Sequence, residues 1–429
     1  MADAASRLRS LAEQLLGVPL PVRVRAWDGS QDGPPDAPAL VLRNRRALRR
    51  ILFKPGELGL ARAWVAGDLE IEGDLYAALD AMAGLVWERD EDARGLVRSL
   101  RDPDVRAAVR DLLKLAGPPI PPAPPAEEVR RVRHLHTRRT DKRAISHHYD
   151  VGNDFYELVL GPSMVYSCAY WEPGGTLESA QRDKLELVCR KLGLTAGQRL
   201  LDVGCGWGSM AIHAAREHGV SVVGVTLSQE QAAYGRKRVA DEGLTDRVEI
   251  RVQDYRDVVD GPYDAISSIG MAEHVGAERY LEYAGDLYAL LKPGGRLLNH
   301  QIGRRPQGDE TAYEVDRFID AYVFPDGELA PVGTTVTQLE RAGFEVRDVE
   351  ALREHYARTL RQWVTNLEAG WDRAVRLTSP GRARVWRLYM AASALAFEHN
   401  RIGVNQVLAV RTPEAGPSGL TLRPRTWHG

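Results

Sequence analysis

The sequence predicts an α/β fold: a mainly parallel seven-stranded sheet covered by helices on both faces, preceded by a smaller N-terminal α+β domain. Three observations carry that prediction. From about Leu200 onward, short apolar runs of strand length alternate with helical periods, the pattern of a parallel sheet whose crossovers are helices. A glycine-rich turn containing Gly204, Gly206 and Gly208 stands between the first of those strands and the helix after it. A proline cluster, GPPIPPAPPAEE at 117–128, divides a chain of 429 residues, a length suited to roughly two to three packing units.

In chain order, the opening MADAASRLRSLAEQLLG is amphipathic but lacks an uninterrupted apolar core followed by a cleavage site, so it does not read as a signal peptide. PALVLRNRRALRRILF reads as a strand followed by a helix, and LARAWVAGDLEIEGDLYAALDAMAG joins short apolar alternation to a later helical period. No catalytic constellation stands here, so residues 1–116 are expected to form an accessory domain. The prolines of 117–128 remove backbone donors and favour an extended, semi-rigid spacer. A basic stretch follows, with Arg130, Arg131, Arg133, Arg138, Arg139, Lys142 and Arg143 relieved only by Asp141. It reads either as a solvated helix face or as an electrostatic foot for anionic lipid headgroups, each cation there contributing about 1 kcal/mol. Within 129–429 the expected strands are RLLDVG, VSVVGVT, RVEIRVQD, YDAISSIG, KPGGRLLNHQIG, FEVRDVEAL and NQVLAVRT. Ligands of open sheets of this kind bind at the carboxyl ends of the strands, so functional residues are expected there.

Composition narrows the classes. Hydrophobic residues make up 44% and charged residues 27%, as in a soluble globular protein rather than a disordered one. A formal net charge of −2 supplies no global field toward nucleic acid. The three cysteines, Cys168, Cys189 and Cys205, are odd in number and lack paired metal-ligand spacing, which argues for a reducing compartment, the cytoplasm, and against a disulfide frame or structural zinc; no metal is expected. No window approaches the roughly 18 apolar residues of a spanning helix, so a lipid substrate would be met from the bilayer surface.

The motifs sit where the strands end. In LDVGCGWGS the spacing is G-x-G-x-G, and no lysine follows in the place that would grip a phosphate. Both features favour a phosphate-free nucleoside over NAD or a nucleoside triphosphate. Asp202 either neutralises the cationic end of the cofactor through water or holds the turn. At the second strand end, Thr226, Ser228 and Gln231 offer hydroxyl and amide groups to a ribose. At the third, Asp254, followed by Tyr255, can accept from an adenine amino group. These three stations point to S-adenosylmethionine.

The run HYDVGNDFYELVLGPSMVYSCAYW, then DVGCGWGS, VTLSQEQ, QDYRD, SIGMAEHVG, HQIG and HYARTLRQW, resembles the cyclopropane fatty acid synthase family, including the mycolic acid and 10-methyl-branched lipid methyltransferases. The likeness covers residues 147–410 in the family's motif order, and the N-terminal domain resembles, more loosely, the accessory domain of longer bacterial members. The resemblance implies a Rossmann-like methyltransferase fold and adds Tyr166 and Ser167 to the cofactor site. It further implies a bicarbonate ion held by Cys168 (largely through its backbone), Glu273, His300, Ile302 (backbone) and Tyr356. The implied reaction places a one-carbon unit from S-adenosylmethionine on the double bond of an unsaturated acyl chain in a membrane phospholipid. Bicarbonate, oriented by Glu273 and His300, would take the proton that then leaves, and Tyr356 would help settle positive charge. Cys168 needs no covalent role, and Cys205 fits a crowded turn.

One departure stands out. Gln301 in HQIG replaces a small hydroxylated residue, between two expected bicarbonate ligands. That change favours a 10-methylene product, which a separate reductase would convert to a 10-methyl chain, over a cyclopropane ring. The enzyme would work at the inner face of the membrane, and nothing in the sequence excludes a homodimer. Two other readings predict different behaviour: a methyltransferase for a soluble small molecule would act without vesicles, and an inactive lipid-binding protein would bind vesicles without turnover.

Overall fold

The computed structural model describes residues 3–87, 102–129, 151–308, 310, 313, 315–325 and 327–422. The basic stretch from Arg130 to Arg143 lies outside them. The chain forms two compact units that do not follow chain order: one comprises Met1–Arg131, Asp316–Val323 and Thr378–Leu395, the other Val132–Val315, Phe324–Leu377 and Ala396–Gly429.

The first unit is α+β. Strands β1 (Arg23–Arg25), β2 (Gln31–Asp32), β3 (Ala39–Leu42) and β4 (Leu69–Glu72) form a sheet in the order β2-β1-β3-β4, with β1 and β3 parallel and the other neighbours antiparallel. Helices α1 (Ala4–Leu16), α2 (Arg45–Phe53), α3 (Glu57–Val65), α4 (Leu75–Trp87) and α5 (Pro103–Ala116) accompany it. Asp3 caps α1 by accepting from Ser6 N and Asn44 caps α2 by accepting from Arg46 N, each satisfying a helix-end donor. The proline segment has no regular secondary structure and is pinned by hydrogen bonds. Arg50 Nη1 donates to Ala123 O at 2.6 Å, and Glu128 accepts from Arg62 Nε at 2.7 Å and from the Tyr322 hydroxyl at 2.9 Å. Prolines cannot donate, so their segment is held through its carbonyls and its flanking carboxylate. The later helices Arg317–Tyr322 and Pro380–Glu398 enter this unit by similar bonds: Trp64 Nε1 donates to Arg384 O at 2.9 Å, and Arg384 pairs with Glu70 at 2.6 Å. Leu60, Trp64, Ile71, Met82, Phe318 and Leu388 help to line an apolar cavity of about 220 Å³ whose polar wall residue is Glu57.

The second unit holds the predicted sheet. Its strands are β5 (Arg199–Val203), β6 (Ser221–Thr226), β7 (Val248–Val252), β8 (Tyr263–Ile269), β9 (Leu291–Arg304), β10 (Glu345–Ala351) and β11 (Ile402–Val410), in the order β10-β11-β9-β8-β5-β6-β7. Strands β5 to β9 run parallel, and β11 is antiparallel to both β9 and β10. The helices used below are α6 (Asn153–Leu160), α7 (Leu177–Leu192), α8 (Ser209–His218), α9 (Gln229–Asp241) and α10 (Tyr280–Leu290). One core cluster packs Val188 of α7, Ile212 of α8 and Val239 of α9 on the sheet, and a second packs Tyr283 and Leu287 of α10 with Leu339. With both faces covered, four of the five residues of β5 and five of the six of β6 are buried, which is why these strands read as continuous apolar runs rather than alternations.

Candidate active site

The carboxyl ends of the central strands open onto a cleft lined by six of the expected cofactor residues: Gly204, Gly206, Thr226, Gln231, Asp254 and Tyr255. Gly206 has φ 54°, and a Cβ built there meets nothing within 4 Å, so a side chain would project into the space that glycine leaves open. Thr226 Oγ1 donates to Gln231 Oε1 at 2.9 Å, fixing both at the wall. Tyr166, Ser167, Asp202, Gly208 and Ser228 are not among its lining residues. Gly208 opens α8 at φ 82°. Ser228 caps α9, its hydroxyl accepting from Gln231 N at 3.2 Å. Asp254, which lines the cleft, accepts from Arg256 Nε at 2.8 Å and Nη2 at 2.6 Å, so its carboxylate also anchors an arginine that itself lines the cleft. Tyr255 packs edge-on against Tyr283, and burial raises its phenol.

Asp202 ends β5 beneath the turn. Ser267 Oγ donates to its Oδ1 at 2.7 Å, while Oδ2 is buried without a partner. Burial lifts the carboxyl to about 6, against the Ser267 hydrogen bond and the Lys184 charge, which lower it. Lys184 is fully buried, and burial draws its ammonium down to about 8 while Cys168 and Asp202 pull it back up. It donates to Ser167 Oγ at 3.0 Å, and Gln181 Nε2 donates to Ser167 O at 2.9 Å. Tyr166 lies 5.7 Å from the Tyr156 ring and 5.4 Å from Trp363, centroid to centroid. Lys184 thus stands among residues expected for the cofactor, Ser167 and Asp202, and residues expected for chemistry, Cys168 and His300.

His300 on β9 is buried, and its tautomer follows from a chain of contacts. Lys191 Nζ donates to Gln406 Oε1 at 2.8 Å, which turns the amide NH₂ toward His300 Nδ1 at 3.3 Å. Nδ1 then accepts and Nε2 carries the proton. Burial, with the Lys184 and Lys191 charges, holds the imidazole neutral, and Nε2 is buried without a partner. Glu273 Oε1 accepts from Ile302 N at 2.7 Å, while its buried Oε2 has no partner. Burial lifts this carboxyl to about 7, against the Ile302 hydrogen bond. The Ile302 N–H, expected to face an anion, is therefore engaged by Glu273. Cys168 is fully buried; its thiol donates to Ala169 O at 3.2 Å, and burial pushes it far above the range in which it would ionise. Tyr356 lies in the first turn of the helix Arg353–Ala369, its ring 4.8 Å from Phe397 and 6.0 Å edge-on from Trp363.

Gln301 is not directed where its place in the sequence suggested. Alternation along β9 puts it on the face opposite His300. There it accepts from the Tyr280 hydroxyl and from Asn299 Nδ2, both at 2.7 Å, and donates to Thr335 Oγ1 at 2.8 Å. Gln181, Lys184, Lys191 and Gln406 escaped the sequence reading. The first three could have been found, because they lie on the buried stripe of α7, where a charged residue in a core position calls for a partner.

A glycine-cradled cleft at the strand ends of this sheet, with a buried unpartnered carboxylate oxygen beneath the turn, defines an S-adenosylmethionine-dependent methyltransferase. Residues 136–407 match the family model described as Mycolic acid cyclopropane synthetase, and the chain belongs to that family. It is 45% identical to a "Probable fatty acid methyltransferase" of Mycobacterium tuberculosis, covering 94% of each chain. It is 41% identical to the "Cyclopropane-fatty-acyl-phospholipid synthase" of Escherichia coli K12, covering 63% of this chain and 68% of that one. Among solved structures, the mycolic acid cyclopropane synthase CmaA1 complexed with SAH and CTAB superposes with a TM-score of 0.59 at 34% identity, over 63% of this chain and 98% of that one.

Proposed function

We propose that this enzyme transfers a methyl group from S-adenosylmethionine to the cis double bond of an unsaturated acyl chain in a phospholipid, and that a proton then leaves to bicarbonate. The product is a 10-methylene chain, precursor of a 10-methyl chain, or a cyclopropane ring. The observation that carries this reading is that His300 Nε2 and Glu273 Oε2 are each buried and without a protein partner. One is a neutral N–H donor; the other belongs to a carboxyl lifted to about 7 that can accept or donate. Each leaves a buried polar atom that a small oxyanion would satisfy. Bicarbonate supplies a weak base when bound, and the two side chains would fix its orientation.

An isolated alkene is a weak nucleophile, so positioning must supply much of the rate. The cofactor supplies an electrophilic methyl group when bound. Gly204 and Gly206 let the backbone approach it, Thr226 and Gln231 offer hydrogen bonds, and Asp202 Oδ2 offers an acceptor for its ammonium end. The aromatic faces of Tyr166, Tyr356 and Trp363 suit a carbon that turns cationic after methyl transfer. Support for a lipid substrate comes from the relatives, a probable fatty acid methyltransferase and a cyclopropane-fatty-acyl-phospholipid synthase. Among the described residues no helix is long and apolar enough to cross a membrane, which fits a lipid met at the membrane surface.

The test is to extract lipids from a host expressing the chain. A gain of one CH₂ on unsaturated acyl chains is expected, with NMR separating exocyclic methylene from ring. Unchanged lipids from a host making folded, cofactor-binding protein would move the reading to a soluble small-molecule substrate.

A further inference from the structure

Glu186 and Cys189 lie one turn apart on α7, and His213 and His218 lie on α8. Glu186 Oε2 is 3.2 Å from His213 Nε2 and 3.0 Å from His218 Nε2. Cys189 Sγ and one ring nitrogen from each histidine lie within 4.8 Å of one another, a constellation of three potential ligands. We propose that these four side chains form a tetrahedral zinc site that clamps α7 to α8, apart from the residues assigned to cofactor and catalysis.

The geometry suits that ion. In a tetrahedron with metal–N and metal–O bonds of about 2.0–2.1 Å, ligand atoms sit roughly 3.3–3.4 Å apart. The two carboxylate–imidazole distances are already close to that spacing; Cys189 Sγ and the ring nitrogens, within 4.8 Å of one another, have to draw inward around the ion. Charge also balances. One thiolate and one carboxylate neutralise a dication, so the buried cluster becomes neutral, and the thiol proton leaves to solvent on binding. The other Glu186 oxygen accepts from Arg190 Nε at 2.8 Å, an outer contact that leaves Oε2 aimed between the rings. Cys189 and His213 are buried while His218 is half-buried, which gives an ion a way in. Four protein ligands leave no open position, the pattern of a structural rather than a catalytic site. Helix α8 starts at the cofactor turn and ends at His218, followed by Gly219 at φ 66°. A clamp at its far end would hold the helix that leaves that turn. The sequence argued against zinc because it has no paired cysteines; this set takes one cysteine from one helix and two histidines from the next.

The test uses the untagged full chain, dialysed against EDTA and titrated with Zn(II) against a chromophoric chelator, and separately with Co(II). One equivalent should bind, and cobalt should show a thiolate-to-metal band in the near ultraviolet with tetrahedral bands in the visible. Cys189→Ser should abolish the thiolate band, and His218→Asn, at a half-buried position, should weaken zinc at least tenfold. The proposal is overturned if no stoichiometric binding occurs, or if cobalt binds without the thiolate band. It is equally overturned if His218→Asn binds zinc as tightly as the unmodified chain.

Discussion

Glu273→Gln should reverse a pH-dependent cost of the native fold. The amide keeps the acceptor that Ile302 N uses at 2.7 Å but cannot ionise. Burial lifts the Glu273 carboxyl from 4.5 to about 7, so the folded chain binds this proton more tightly than the unfolded chain. Below about pH 4.5 both states are protonated and the group adds no pH dependence. As pH rises from 4.5 toward 7, the unfolded state ionises first and stability falls; above that window the loss is complete. The size follows from 1.36 kcal/mol per pH unit over that interval, about 3 kcal/mol. Urea unfolding of both proteins at pH 5 and pH 8 measures it. The variant should gain on the unmodified chain by about 2.5 kcal/mol between the two pH values, because some of the loss has already set in at pH 5, while its lipid methylation falls. An offset that is the same at both pH values would refute a buried, proton-holding Glu273.

Three further substitutions probe the surroundings. Gln406→Leu removes the amide that faces His300 Nδ1 at 3.3 Å; steady-state kinetics should show kcat lower by about 10–100-fold, the cost of about 1–3 kcal/mol for a lost buried hydrogen bond, with cofactor affinity retained. Cys168→Ala should leave the rate within an order of magnitude in the same assay, because the thiol is fully buried and held protonated. Gln301→Ser should destabilise the fold by about 1–3 kcal/mol, by stranding the Tyr280 hydroxyl and Thr335, while NMR of the lipid product finds the ratio of ring to methylene unchanged.

The parts of the fold visible in the sequence are those governed by short-range rules. Seven apolar segments became seven strands, and the glycines of the turn sit at positive φ because only a residue without Cβ turns there cheaply. What escaped depends on partners distant in sequence. Lys191 meets Gln406, and Gln406 meets His300, so the histidine tautomer is set by residues that no local pattern connects. The sequence does not reveal that Arg256 folds back onto Asp254. Gln301 looked like a neighbour of the base, although strand alternation already placed its side chain on the other face. Composition gives the proline segment as a semi-rigid spacer, but not that Arg50, Arg62 and Tyr322 fasten it.

The most direct test of lipid methylation is to incubate the purified chain with S-adenosylmethionine carrying a ¹³C methyl group and vesicles of oleoyl phospholipid, with bicarbonate present or depleted, and to follow the label by mass spectrometry and NMR. The account predicts label in a new one-carbon unit bonded to the former double-bond carbons of the acyl chain, at a rate that falls when bicarbonate is withdrawn and recovers when it is restored. Cofactor binding with no label in lipid would contradict it.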